Sequence, residues 1–231
     1  ILTDAKNKAI IDVLPNRKEQ DLKGYFRNFK SRMNVRYFVC DMNAHFRSVA
    51  KSCFPNAKII VDRYHVSRQV IWAMESVRKA EQKKYFKSFR TYLKHSRKLL
   101  NKKELTQDEM QELAIILENA PLLAEAYRLK NQFLEVMHTK NDRETAKQKL
   151  SDWLMAAEAA AFREKDPLVE FQPCITACHN WFSEILNSLE VPFSNGFTEG
   201  CNNKIKVLKR VCFGFRNFEH FRSRILHCSS R

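Results

Sequence analysis

With 231 residues, 44% of them hydrophobic, the chain can bury the core of one large domain or of one domain carrying a sizeable insertion, which argues against wholesale disorder. Only 4 Gly and 6 Pro argue against a turn-rich all-β fold; no apolar run approaches the roughly 20 residues that span a bilayer, so no membrane role is expected. Forty-one Lys and Arg against 26 Asp and Glu leave a formal net charge of +15, which favours polyanionic partners, because each phosphate neutralised releases condensed counterions; an acidic lipid surface is the competing partner.

In chain order, residues 1–65 alternate short β-prone runs with helical stretches. The first residues already read as a strand. Because Ile1 is not an initiator Met, the chain is expected to be a fragment with sequence missing upstream. Residues 8–14, 35–40 and 58–61 read as strands, and 17–29 and 42–53 carry helical spacing, as in Phe46, Val49, Ala50 and Cys53. Strand, helix, strand implies a parallel pair joined by a right-handed crossover. Asp41 and Asp62 then both stand just past strand carboxyl ends, the edge at which open α/β sheets bind ligands.

Residues 66–190 read as an all-helical insertion or subdomain. Thr106 and Glu109 form a capping-box signature ahead of Met110, Leu113, Ile116 and Leu117, and Pro121, Pro167 and Pro173 punctuate the helices. In the last stretch, 191–231, Ser194-Asn195-Gly196 reads as a turn and a helix start. The helix that follows carries Phe197, Cys201, Ile205 and Leu208 on one stripe, with Glu199, Asn203, Lys206 and Arg210 on another face. Gly214 ends it, and a final aromatic helix is expected to turn Phe218, Phe221 and Ile225 inward, with Arg216, Arg222 and Arg224 toward phosphate.

Seven cysteines, odd in number and irregularly spaced, with no secretory signal, fit free thiols in a reducing cytosol. Cys174 and Cys178 beside His179 invite a zinc site, but no second ligand pair completes a tetrahedron, and Cys174, Cys178 and Phe182 share one helix face as core residues do. The basic run at 79–98 reads equally as a solvated helix face or as a DNA-facing one.

Three carboxylates stand out: Asp41 after Tyr37-Phe38-Val39-Cys40, Asp62 after Ile59-Ile60-Val61, and Glu199 at a helix start. Carboxylates converging from strand ends and a facing helix suit the hard cations used in phosphoryl transfer. Each also has an ordinary explanation, as a turn or cap residue or a dipole-favoured first-turn acid. His65, three residues beyond Asp62, reads as part of that site or as a capping partner.

The string Asn195-Gly196-Phe197-Thr198-Glu199-Gly200-Cys201-Asn202-Asn203-Lys204-Ile205-Lys206, followed by Gly214-Phe215-Arg216-Asn217-Phe218, resembles the closing signature of the ISL-three family of bacterial insertion-sequence transposases, of the DDE class. Asp12-Val13-Leu14-Pro15-Asn16-Arg17, Asp41-Met42-Asn43 and the stretch from Pro55 to His65 match its earlier segments in order. One departure is Cys201, where an aliphatic residue is more usual.

The resemblance implies a ribonuclease-H-like α/β core interrupted by a large all-helical insertion, its first strand lying before Ile1. Glu199 matches the catalytic Glu and Asp41 the second catalytic Asp, both as metal ligands. Asp62 with His65 resembles an Asp-x-x-His element found in several transposase groups. The first catalytic Asp is expected upstream, with Asp4 the alternative, and the fragment is expected to be inactive alone. The resemblance further implies Mg²⁺, replaceable by Mn²⁺, and double-stranded DNA of element ends and target. Asn203, Lys206, Lys209, Arg210 and Arg216 would meet that DNA. A homodimer on DNA and a cytoplasmic, nucleoid-associated location complete the expectation. A non-catalytic DNA-binding protein derived from such a core is the rival reading, and a plain metal-dependent nuclease a third.

Overall fold

The computed structural model describes residues 1–138 and 142–229; 139–141, within the expected helical stretch, and 230–231, at the end of the last one, lie outside the described residues. The protein is α/β and mostly helical. Its strands are β1 (Leu2–Asp4), β2 (Ala9–Asp12), β3 (Tyr37–Cys40) and β4 (Lys58–Val61). The helices are α1 (Glu19–Arg27), α2 (Ala44–Cys53), α3 (Arg63–Gln82), α4 (Lys87–His95), α5 (Gln107–Asn119), α6 (Pro121–His138), α7 (Arg143–Ala161), α8 (Gln172–Asn180), α9 (Phe182–Leu189), α10 (Gly196–Val211) and α11 (Phe218–Ser229). They group into two compact units, Ile1–Asp62 with Val191–Arg231, and Arg63–Glu190.

In the first unit β1 and β2 form an antiparallel hairpin, and β3 and β4 a parallel pair in the register Tyr37↔Lys58 to Cys40↔Val61. Among the described residues the two pairs are separate sheets rather than one continuous sheet. The parallel pair forms from Tyr37-Phe38-Val39-Cys40 and, after the exposed Lys58, Ile59-Ile60-Val61, all three of which are buried, as strands covered on both faces must be. The crossover helix α2 starts where the Asn43 side chain accepts a hydrogen bond from the His45 N–H. It buries Val49, Ala50 and Cys53. Leu22 and Phe26 of α1 close over them with Phe54, the Phe26 and Phe54 rings meeting edge-on at 4.8 Å. Each such side chain, fully buried, contributes about 1.5–3 kcal/mol.

Asp12 anchors the end of β2. It is buried, and its carboxylate accepts from the Val13 N–H (2.7 Å), the Tyr25 hydroxyl (2.8 Å) and Arg222 Nε of α11 (2.6 Å). Burial opposes the charge, but the Arg222 and Tyr25 hydrogen bonds outweigh it and hold the carboxyl below its ordinary range. The expectation that Arg222 points toward phosphate is therefore corrected: a guanidinium beside a buried carboxylate gains more from pairing there than from solvent. Ile225 is buried as expected, Phe218 and Phe221 are half-buried, and Phe221 packs on Phe215 with centroids 4.6 Å apart.

The second unit contains no strand among its described residues. Its core runs through Met74, Leu93, Ile116, Leu123, Leu129, Phe133 and Leu150. Phe133 lies against Trp153 (4.5 Å between centroids), whose indole N–H donates to the Leu129 carbonyl (2.8 Å). The Thr106–Glu109 capping box is formed, and Pro121 and Pro173 stand at helix starts, where a missing N–H costs nothing. Cys174 and Cys178 are buried on one face of α8, and burial pushes the Cys174 thiol up to about 12 and Cys178 up as well. Their burial on that one face suits core packing. No helix among the described residues is long and apolar enough to cross a membrane.

Candidate metal centre

Because β3 and β4 are parallel and in register through Cys40 and Val61, the next residue of each, Asp41 and Asp62, emerges at the same edge. The Asp62 N–H extends the ladder by donating to the Cys40 carbonyl (3.0 Å). Asp62 is only 3% exposed. Both residues are followed by helix starts, Asn43 capping α2 and Arg63 opening α3, so both carboxylates sit among helix N-termini, where negative charge is favoured. His65 stands in the first turn of α3, three residues beyond Asp62, so local backbone continuity fixes its place. One ligand atom each from Asp41, Asp62 and His65 lies within 4.8 Å of the others. A cation bound at about 2.0–2.1 Å holds neighbouring donors roughly 3 Å and opposite donors roughly 4.2 Å apart, so the three could hold one small divalent ion once the side chains draw closer.

Glu199 lies outside that group of three. It is exposed, in the first turn of α10, and its N–H donates to the Asn195 carbonyl (2.8 Å). Asn195 is the residue that sequence reasoning passed over. At this helix start an Asn would ordinarily cap the helix with its own side chain, yet no such bond is made. Its side-chain amide donates instead to Asp41 Oδ1 (2.8 Å), across 154 residues of sequence. A second tie, between the Thr3 and Thr198 hydroxyls (2.7 Å), joins β1 to the turn of α10 that bears Glu199. Both bonds bring the Glu199 helix into the same framework as Asp41. The signal that could have pointed to Asn195 is a polar residue at a helix start, but its partner cannot be read from spacing.

Beyond Glu199, Asn203, Lys206, Lys209 and Arg210 are all exposed on α10, and Arg216 is exposed in the following loop. The opposite side of α10 buries Cys201, with Phe197, Ile205 and Leu208 half-buried. Asp4 has a structural role: its carboxylate accepts from the N–H groups of Lys6 and Asn7 and from the Asn7 amide, closing the β1–β2 turn.

The family described as transposase, the ISL3 group of DDE transposases, matches residues 1–225. The chain belongs to this transposase family. Among curated proteins it is similar to the transposase for insertion sequence element IS1001 of Bordetella parapertussis, 24% identical over 230 residues, covering 96% of this chain and 54% of that protein. It is also similar to a protein named ATP-dependent protease from Lactococcus lactis subsp. lactis, 31% identical over 111 residues, covering 48% of this chain and 32% of that one. The chain thus spans about half the length, or less, of these relatives. No solved structure matches it.

Proposed function

We propose that the chain is the catalytic part of a cut-and-paste DNA transposase, which hydrolyses a phosphodiester at an insertion-sequence end and joins the freed strand to target DNA. The observation that carries this reading is the convergence of Asp41, Asp62 and His65 within 4.8 Å at the carboxyl edge of a parallel strand pair, in a chain of this family. In this reading the first unit is a ribonuclease-H-like core and the helical unit is an insertion into it.

Two displacements at phosphorus make up the reaction. In the first, a water oxygen bonds to phosphorus as the P–O3′ bond breaks, leaving a 3′-hydroxyl and a 5′-phosphate. In the second, that 3′-hydroxyl oxygen attacks a target phosphodiester and displaces its 3′-oxygen. Asp41, Asp62 and His65 would hold the divalent cation, Mg²⁺ or Mn²⁺, with Glu199 approaching from α10. When bound, the cation supplies charge stabilisation for the five-coordinate transition state and acidifies an attacking water. Asn195 fixes the Asp41 carboxylate in one orientation, which limits reorganisation during the reaction. Asn203, Lys206, Lys209, Arg210 and Arg216 would grip the DNA backbone, and no cysteine takes part. A homodimer on paired element ends, in the bacterial cytoplasm at the nucleoid, follows from this reading.

The test is cleavage and strand transfer on labelled element-end DNA by the full-length protein, with Mg²⁺ or Mn²⁺, beside Asp41→Asn and Glu199→Gln. Metal-dependent activity lost in both variants, with DNA binding kept, is the expected result. Cleavage that survives either substitution removes that residue from the site. Binding without any cleavage favours the DNA-binding rival, and cleavage without joined products favours a plain nuclease.

A further inference from the structure

Helix α3 leaves the metal-centre edge and carries an arrangement that the motifs do not account for. Tyr64, Arg68 and Trp72 follow one another at intervals of four, so they form a single stripe along the helix. Tyr64 is 58% exposed and Trp72 55% exposed, although large aromatics usually reward burial. The Arg68 guanidinium lies between them, 5.5 Å from the Tyr64 ring centroid and 4.7 Å from that of Trp72. An exposed cation–π contact of this kind is weak by itself and does not explain why two large rings stand in solvent. Ser76 and Lys79 continue the exposed surface toward the far end of the helix.

The charges on α3 are sorted. Its two acids, Glu75 and Glu81, are buried and paired with Arg78 and Lys84. Those that reach solvent, Arg63, Arg68 and Lys79, are all basic. A stripe of aromatic faces and cations with no exposed acid is complementary to single-stranded nucleic acid, whose bases stack on the rings while its phosphates meet the cations. Duplex DNA hides its π faces inside the stack, so a grip on duplex phosphates would need the cations and not the rings. Eight residues of helix separate Tyr64 from Trp72 by about 12 Å, room for roughly three base steps at 3.4 Å each.

We propose that the Tyr64–Arg68–Trp72 stripe of α3 is a stacking platform for unpaired DNA bases, placed to receive a strand that leaves the duplex beside the scissile phosphate. The proposal rests on the transposase reading for where the DNA lies, since Tyr64 is two residues beyond Asp62. Its own content is that this helix discriminates unpaired bases from duplex.

The experiment measures affinity of the full-length protein, in EDTA so that no chemistry occurs, for a blunt element-end duplex and for the same duplex carrying a four-nucleotide single-stranded overhang. Trp72→Ala and Tyr64→Ala should each weaken overhang binding by about tenfold and leave blunt-duplex binding within about twofold, with Trp72→Phe retaining most of the preference. Overhang binding should also quench the tryptophan emission that Trp72→Phe removes, because Trp153 and Trp181 are only 3% and 7% exposed. Equal losses on both DNAs would mean a backbone grip, no loss on either would mean no DNA contact, and either result overturns the proposal. Failure of the catalytic reading shows differently: the overhang preference and its Trp72 dependence remain while metal-dependent cleavage is absent.

Discussion

The two units bury charge in contrasting ways. In the helical unit, Glu75 is gripped by both Nε and a terminal nitrogen of Arg78, whose remaining nitrogen donates to the Leu93 carbonyl, and Lys130 donates to the Leu100 carbonyl over the Tyr127 ring. Every one of these ions is satisfied within the helical packing, a structural use of charge. In the α/β unit Asp12 pairs with Arg222 in a comparable way. At the carboxyl edge of its parallel strand pair it also gathers Asp41, Asp62 and an imidazole into one small volume.

The sharpest way to break that comparison is Asp62→Asn, which removes a carboxylate while preserving shape. Cleavage is expected to fall by at least ~10³-fold, the scale of losing a group that stabilises transition-state charge. Mn²⁺ is expected to raise the unfolding midpoint of the wild type but not of this variant, since only a bound ion stabilises by mass action. A Mn²⁺ shift kept in Asp62→Asn would show that Asp62 is an ordinary buried strand-end residue.

The helical unit should respond to packing instead. Phe133 is fully buried against Trp153, so Phe133→Ala is expected to cost about 3–5 kcal/mol by chemical denaturation. Metal-dependent cleavage should persist at temperatures where that unit stays folded. Loss of cleavage in a fully folded Phe133→Ala protein would show that the units do not divide stability and chemistry as described.

How much of this was legible in the sequence follows from the range of each interaction. The 58–61 strand was legible because Ile59, Ile60 and Val61 form a short β-branched run bounded by Lys58 and Asp62, and the capping box at Thr106 because it closes within three residues. The helix expected at 17–29 proved shorter, Glu19–Arg27, because Asn28 and Phe29 turn back on Tyr25 and Phe26. Asp41 and Asp62 could be set at one edge from strand order alone. What spacing could not supply were the long-range partners. Asn195 reaches Asp41 over 154 residues and Arg222 reaches Asp12 over 210, and nothing local distinguishes Arg222 from Arg224, which was read the same way. Likewise the exposure of Tyr64 and Trp72 depends on what the rest of the fold leaves uncovered.

Asn195→Ala tests one of those long-range links. It leaves every carboxylate in place and removes one donor to Asp41, so the expected loss of cleavage is about 10–100-fold, the range for a residue supporting a metal ligand. Metal affinity should weaken with it. A loss as large as that of Asp62→Asn would place Asn195 in contact with the reacting groups, and no loss would mean that Asp41 is held without it.

The smallest expected effect compares the two units through pH. Asp12 has its carboxyl held below the ordinary range in the folded state, so its contribution is present above the unfolded value near 3.8 and is lost as pH falls through the lower folded value. Lys130 has the opposite sense: burial lowers it to about 8 from 10.5, so the folded state sheds a proton that the unfolded chain keeps between those values. Stability from Lys130 therefore rises with pH from about 8 to 10.5, where the unfolded state binds more protons. Against Lys130→Met, whose side chain does not titrate, the wild type should gain relative stability between pH 7 and pH 10; against Asp12→Asn it should lose relative stability in acid. Denaturation curves at the two extremes measure both differences, with other titrating groups cancelling in each pair. A flat Lys130 difference would mean that its amine stays solvated and charged, and the helical unit would then hold no buried ion whose cost depends on pH in this way.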